Sequence, residues 1–352
     1  NYLEVQISDN GAEIKSIKYL NKDYLHNSDP KFWGRSAPLL WPNIGTIKDG
    51  KAMVDGISYP MKKHGFLRDT MCQVESQFED KITFCVISDE NTLKLYPYEF
   101  KVLITYELLE QTIHSTLEFI NNSKTSMPFN LGLHPAFKVP LEDTESFEDY
   151  KIIFDIPGTY EMPTVNLTDG TIDYENRCRT FTNLKELPLN YSDYDFDALV
   201  FENILSHQIT LTNKDESHGV VFNFEDFPML GIWTPNHIKS PFICLEPWFN
   251  YADRVKETGY FKDKEGMMYL KPNEGFKCQF SMDSIGKVID IFGNDLIAGK
   301  KFEKLIDVPI ENPTLPIMDR SPVTRASREA VSLIFSPSSS RASISALQER
   351  SA

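Results

Sequence analysis

The chain has 352 residues, of which 41% are hydrophobic and 25% charged, and its formal net charge is −15. A chain of this length and composition can bury a substantial core, as one large domain or as two ordinary ones. The acidic balance, without a basic cluster in any segment, argues against a nucleic-acid partner. The longest apolar runs are far too short to cross a bilayer, so we expect no membrane partner either.

The cysteines are odd in number and show no Cys-x-x-Cys spacing. They are Cys72, Cys85, Cys178, Cys244 and Cys278. This pattern is typical of reduced, mostly buried thiols, and it favours neither a disulfide framework nor a zinc site. The chain begins without a basic segment followed by an apolar one, so we expect a cytoplasmic protein.

Alternation of apolar and polar residues with a period of two dominates the sequence up to about residue 285. Residues 101–108 and 113–119 alternate in this way on either side of a turn near Glu110, which predicts a β-hairpin. Runs rich in aromatic and β-branched residues, bounded by Pro, Gly, Asn or Asp, predict further strands at 81–88, 208–212, 220–224, 230–234, 241–248 and 275–282. Many short strands without a long amphipathic helix predict an all-β sandwich or barrel over residues 1–285.

The composition changes after Asp283, and residues 286–352 form a C-terminal extension. From about residue 312 this extension is rich in Pro and Ser, and it cannot bury enough apolar surface to offset its ordering entropy. We therefore expect residues 312–352 to be disordered. Residues 286–311 hold several apolar side chains and are compatible with a short docked element.

Glu246 is the most informative single residue. On a strand, Phe242, Cys244 and Glu246 share one face, and both faces of this segment are otherwise apolar. Burial there would raise the pKa of the carboxyl group toward the range that suits a general base. The alternative is a glutamate at the end of a strand that faces solvent or pairs with an arginine such as Arg68.

Two histidines lie in short segments where the backbone is constrained by glycine or proline. His134 stands between Gly132 and Pro135, and a histidine so placed can donate a proton near neutral pH. His64 precedes Gly65 and has the same two interpretations, a catalytic or binding group or a structural histidine. Trp248 is either a platform for the face of a sugar ring or a core residue.

Three segments together resemble the aldose 1-epimerase (galactose mutarotase) family, in particular its bacterial LacX-like branch. They are HGFLRD at 64–69, LGLHPAF at 131–137 and CLEPWF at 244–249, supported by WGRSAPLLWPNIG at 33–45, DFDALVFEN at 195–203 and LGIWTP at 230–235. The resemblance covers the chain up to about residue 285. It implies a large antiparallel β-supersandwich and the interconversion of α and β anomers of a free aldose.

By this resemblance Glu246 would be the general base and His134 the general acid, while His64 and Arg68 would bind sugar hydroxyls. The sugar-binding aspartate of many relatives has two candidates, Asp197 and Asp253. The chemistry needs one acid and one base, so it implies no metal and no other cofactor. The implied partner is a monosaccharide, bound by a monomer or a homodimer.

Four alternatives remain from the sequence. The segment around His64 and Arg68 also resembles hexose-6-phosphate mutarotases, which would imply a phosphorylated sugar. His64, His134 and Glu246 would form a metal triad if a two-His-one-carboxylate site were present. Glu246 with Asp197 or Asp253 would suit a glycoside hydrolase. The fold alone also allows a sugar-binding protein without catalytic activity.

Overall fold

The computed structural model describes residues 3–289, 295–298 and 332–336. In this part of the chain the strands are β1 (Leu3–Ser8), β2 (Ile14–Tyr19), β3 (Lys22–Asp23), β4 (Leu39–Leu40), β5 (Lys51–Val54), β6 (Ile57–Pro60), β7 (Gln73–Gln77), β8 (Lys81–Ile87), β9 (Phe100–Leu109), β10 (Thr112–Asn121), β11 (Met127–Phe129), β12 (Gly132–Leu133), β13 (Ala136–Lys138), β14 (Tyr150–Val165), β15 (Ile172–Pro188), β16 (Leu199–Phe201), β17 (Gln208–Asn213), β18 (Gly219–Asn223), β19 (Met229–Trp233), β20 (Phe242–Trp248), β21 (Met268–Leu270), β22 (Gly275–Ile289), β23 (Asp295–Ala298) and β24 (Ser332–Ser336). Helical residues are confined to α1 (Glu90–Leu93) and to 3₁₀ turns at Lys48–Gly50, Leu67–Asp69, Phe147–Asp149, Tyr191–Tyr194 and Phe261–Asp263.

The largest sheet has the strand order β15-β14-β17-β18-β22-β10-β9-β8-β7, and its neighbours are antiparallel. The predicted hairpin lies next to the central strand β22, and in it β9 pairs with β10 along their whole length. Side chains of β9 alternate between buried and less buried positions, because one face of the strand covers the core.

A second sheet, of order β16-β19-β20-β12-β4 with β13 also paired to β20, faces the first. Phe137 of β13 contacts Phe222 of β18, and Phe201 of β16 contacts Phe154 of β14, so the core lies between the two sheets. All seven residues of β20 are buried. The predicted antiparallel β-supersandwich is confirmed, and β20 is an inner strand of the smaller of its two sheets.

The N-terminal strands β1–β3 form a separate small sheet, to which β24 adds a parallel strand beside β1. The sequence did not predict β24, which falls within the segment expected to be disordered; the other residues from 312 to 352 lie outside the described part of the chain. Strand β22 runs to Ile289, past the predicted boundary at residue 285, and its end pairs with β23. Residues 286–289 and 295–298 thus form a short antiparallel pair within the C-terminal extension.

Candidate active site

One cavity of about 420 Å³ is lined by six of the residues that the sequence singled out as catalytic or sugar-binding. These residues are Glu246, His134, His64, Arg68, Asp197 and Trp248. The volume falls in the range of cavities that hold small ligands. Residues from four distant segments therefore meet at one surface.

Glu246 and His134 are brought together by the strand register. His134 lies in the short connection between β12 and β13, and both of these strands pair with β20, which carries Glu246. His134 Nε2 lies 3.2 Å from Glu246 Oε2, and both side chains are buried. A base and an acid in contact at the wall of a cavity can exchange a proton and can both reach one bound molecule.

The surroundings of this pair disfavour charge on both groups. Burial, and next the Asp197 carboxylate, raise the pKa of Glu246 well above its ordinary value, while Lys63 and the Trp248 indole act in the opposite direction. Burial, and next Lys63, Arg68 and Arg35, lower the pKa of His134 well below its ordinary value. The pair therefore titrates as a unit that holds one proton over a wide pH range.

His134 is surrounded by rings. The Trp33 ring stacks on the imidazole at a centroid distance of 4.6 Å, and the Trp233 ring meets it edge-on at 5.7 Å. The buried Nδ1 atom of His134 makes no hydrogen bond to any other described residue. The orientation of this imidazole thus depends on packing and on the contact with Glu246.

His64 lines the cavity and is bound to the protein through one of its ring nitrogens. Its Nδ1 accepts a hydrogen bond from the Gly45 N–H at 3.0 Å, so the proton of the neutral ring is on Nε2. Burial, and next His134, lower the pKa of His64 well below its ordinary value, which keeps the ring neutral. The residue has a φ of +68°, in the left-handed region. His64 is therefore a hydrogen-bond donor on the cavity wall.

Arg68 contributes positive charge to the cavity. It lies in the 3₁₀ turn Leu67–Asp69, and its Nη2 donates to the Lys63 carbonyl at 2.7 Å. Within the described residues it forms no ion pair, whereas neighbouring Arg35 pairs with Asp69. Burial and Arg35 lower the pKa of Arg68. A guanidinium without a carboxylate partner is suited to sugar hydroxyls or to an anionic group.

The two candidate aspartates lie in different settings. Asp197 lines the cavity and acts on the pKa of Glu246. Asp253 is buried, pairs with buried Lys264 at 3.1 Å and accepts the Lys48 N–H at 2.9 Å. It does not line the cavity. Position favours Asp197 as the sugar-binding candidate and gives Asp253 a structural role.

Trp248 lies against two glycines of the strands beside β20. A Cβ atom at Gly231 would lie 2.5 Å from Cη2 of the indole, and one at Gly132 would lie 2.7 Å from Cδ1. Both distances are shorter than a van der Waals contact, so side chains at these positions would displace the ring. The indole forms part of the cavity wall because its neighbours have no side chains.

One group of potential metal donors was found among the described residues. Donor atoms of His134, Cys244 and Glu246 lie within 4.8 Å of one another, and His64 is not part of the group. Burial, and next Glu246, raise the pKa of the Cys244 thiol well above its ordinary value. Metal binding at this group would therefore require the release of the thiol proton.

Several cavity residues were not assigned a role from the sequence. Trp33 and Trp233 belong to segments that were noted for the resemblance, but nothing in the residue pattern placed either ring against His134. Lys63 and His237 also line the cavity and stand in loops without periodicity. Residues of this kind are found from three-dimensional contacts alone.

The fold and the site define a β-sandwich protein with a buried histidine–glutamate pair in a cavity of small-ligand size. A family model described as aldose 1-epimerase matches residues 1–282. The chain belongs to this family. No helix in the described part is long and apolar enough to span a membrane.

Relatives support the assignment to the family. Protein LacX (chromosomal) of Lactococcus lactis subsp. lactis is 30% identical over 290 residues, which cover 80% of this chain and 96% of the relative. The crystal structure of a galactose mutarotase related enzyme from Lactobacillus acidophilus has a TM-score of 0.75 at 30% identity and covers 79% of this chain and 93% of its own. A galactose mutarotase-like protein from Lactobacillus casei ATCC 334 has a TM-score of 0.71 at 29% identity, with coverages of 79% and 95%.

Proposed function

We propose that this protein is an aldose 1-epimerase that interconverts the α and β anomers of a free aldose in the cytoplasm, without a cofactor. The observation that carries the proposal is the contact between His134 Nε2 and Glu246 Oε2 at 3.2 Å. Mutarotation needs a base at the anomeric hydroxyl and an acid at the ring oxygen. These two oxygens are bound to the same carbon, so an adjacent acid and base can serve both.

In the reactive form the shared proton is on His134, and Glu246 is ionised. Glu246 takes the proton from the anomeric hydroxyl while His134 gives its proton to the ring oxygen, the C1–O5 bond breaks, and an open-chain aldehyde forms. Rotation about C1–C2 turns the other carbonyl face toward the ring oxygen. Reversal of the proton transfers closes the ring as the other anomer. Each such group contributes about 10²–10⁴-fold to rates of this kind.

The burial of the pair fits this cycle. Ring opening leaves Glu246 protonated and His134 neutral, which is the state that the buried surroundings favour. His64 Nε2–H and the Arg68 guanidinium are placed to donate hydrogen bonds to sugar oxygens, and Asp197 to accept one. Trp248 supplies an apolar wall for a face of the ring.

The direct test is the exchange of fresh α-glucose and α-galactose, followed by polarimetry or NMR, with no metal added and with a chelator present. Wild type should accelerate the exchange, and Glu246→Gln should lose about 10²–10⁴-fold in kcat. Glu225→Gln, on an exposed turn, is the matched control. Binding of sugar without acceleration would identify a sugar-binding protein instead, and loss of activity on chelation would favour a metal enzyme.

A phosphorylated aldose is a second candidate substrate. The observation that favours it is the presence of Arg68 and Lys63 on the cavity wall, neither of which forms an ion pair within the described residues. Exchange of α-glucose-6-phosphate should then exceed that of α-glucose in kcat/KM, and Arg68→Met should remove the difference. Equal or lower kcat/KM for the phosphate ester would exclude this candidate.

A further inference from the structure

The loop residue Trp33 is fixed against the imidazole of His134. The two rings are 4.6 Å apart with an interplanar angle of 26°, which is a stacked arrangement. The Trp33 backbone is anchored on both sides, since its N–H donates to the Asp29 carbonyl at 2.9 Å and its carbonyl accepts from His26 Nε2 at 2.9 Å. Trp33 is therefore held in place independently of a bound sugar.

This stacking is the main restraint on the plane of the imidazole. His134 Nδ1 makes no hydrogen bond to any other described residue, and Nε2 contacts Glu246. The rings of His64 and Trp233 meet the imidazole edge-on, at 5.5 and 5.7 Å. Trp33 alone presents its face to His134 among these neighbours.

The charged groups near His134 oppose its protonation. Lys63, Arg68 and Arg35 act on it as cations, and His64 is neutral. Glu246 is the carboxylate in contact, but it must lose its charge as it accepts the sugar proton. The one contribution that raises the pKa of His134 is a hydrogen bond to its own backbone, so a protonated His134 needs a further source of stabilisation that is not a carboxylate. The face of an indole attracts a cation, and it does so most strongly where water is excluded.

We propose that Trp33 is a positioning residue that holds the His134 ring in its reactive orientation and stabilises the imidazolium form through the face of its indole. The inference rests on the proposed acid role of His134. It assigns to Trp33 an electrostatic part in the proton transfer to the ring oxygen, in addition to its place on the cavity wall. A tryptophan that only stacked on the sugar would act on KM instead of kcat.

The test uses tryptophan carrying one, two or three ring fluorines, which lowers the electron density of the indole face with little change in shape. In the wild-type background kcat for mutarotation should fall progressively, by about tenfold across the series, with KM unchanged. Trp41, Trp233 and Trp248 are fluorinated as well, so Trp33→Phe is the matched background that reports the effect of those three rings, and the fall in kcat should be smaller there than in wild type. Equal responses in the two backgrounds, a flat series, or a rise in KM without loss of kcat would overturn the inference.

A second measurement does not depend on turnover. NMR titration of His134 in the free protein should show that fluorination lowers its pKa by more in the wild-type background than in Trp33→Phe, where only the other three tryptophans carry fluorine. An unchanged pKa, or no protonation of His134 at any pH at which the unlabelled protein is folded, would overturn the inference. If fluorination shifted the pKa but the protein turned over no aldose, the interaction between Trp33 and His134 would stand and the proposed function would fail. If the protein turned over aldose but neither kcat nor the pKa responded to fluorination, the proposed function would stand and the role of Trp33 would fail.

Discussion

His134 Nε2 and Glu246 Oε2 lie 3.2 Å apart on side chains that are both buried. This contact joins the connection between β12 and β13 to the strand β20, and it places an imidazole and a carboxyl group at one point of the cavity. Because burial disfavours the charged form of each group, the pair holds a single proton and acts as one titrating unit. The pH dependence of activity follows from this property.

The rate should have a bell-shaped pH dependence. Activity requires one proton on the pair, so it is lost when a second proton is added and when the shared proton leaves. The lowered pKa of His134 places the acid limb below 6.5, and the raised pKa of Glu246 places the alkaline limb well above 4.5. A profile of kcat/KM against pH checks this. An acid limb at or above 6.5 would contradict the lowered pKa of His134.

Replacement of Glu246 by Gln should stabilise the protein while it removes activity. The pKa of Glu246 is higher in the folded protein than in the unfolded chain. The carboxyl group therefore contributes stability at pH values below its pKa in the unfolded chain, and this contribution is lost as the pH rises through its pKa in the folded protein. The amide avoids this loss, so the gain in Tm should grow with pH. Thermal unfolding from pH 4 to pH 8 measures it, with Glu225→Gln as the control. A gain that is largest at pH 4 would have the wrong sign.

His64 should contribute to sugar binding through Nε2 and to stability through Nδ1. In His64→Asn the side-chain oxygen can still accept the Gly45 N–H, and Asn tolerates the left-handed φ of +68°. We expect KM to rise about tenfold, the value of one good hydrogen bond, with Tm unchanged. His64→Ala should also lose about 1–3 kcal/mol of unfolding free energy, because the buried Gly45 N–H is left without an acceptor. Equal stability of the two variants would contradict the structural part.

Replacement by Asn should change KM at Asp197 and the free energy of unfolding at Asp253. Asp197 lines the cavity, so Asp197→Asn should raise KM and leave Tm close to that of wild type. Asp253→Asn leaves the Lys264 ammonium buried and uncompensated, which costs about 3–5 kcal/mol of unfolding free energy. Denaturant unfolding and steady-state kinetics on both variants give the comparison. The reverse pattern would exchange the two assignments.

Much of the fold could be predicted from the sequence, because several strands have one buried face. The alternation in β9 and β10 predicted their hairpin, and the apolar run of β20 predicted a buried strand. The long hairpin of β14 and β15 was not predicted. Most side chains of β15 are exposed, so its residues alternate in neither hydrophobicity nor burial. A strand at the edge of a sheet leaves little trace in the sequence for this reason.

The candidate site was predicted less completely than the fold. Glu246, His134 and His64 stand in segments with a specific local pattern, and the structure places all three on one cavity. The sequence does not distinguish Asp197 from Asp253, since both are polar residues in loops. It does not predict the stacking of Trp33 on His134 either, because a loop has no period from which the direction of a side chain can be inferred.

The close approach of Trp248 to Gly231 leads to the last prediction. A Cβ atom at Gly231 would lie 2.5 Å from the indole, and the residue stands in β19 between two paired strands, so the ring must move. We expect Gly231→Ala to lose about 1–3 kcal/mol of unfolding free energy and to raise KM, because the displaced indole narrows the cavity. Gly34→Ala is the control, since nothing lies within 4 Å of a Cβ atom there. If the two variants had the same KM and Tm, the indole of Trp248 could move aside without cost. Its role as a fixed wall for the sugar ring would then be wrong.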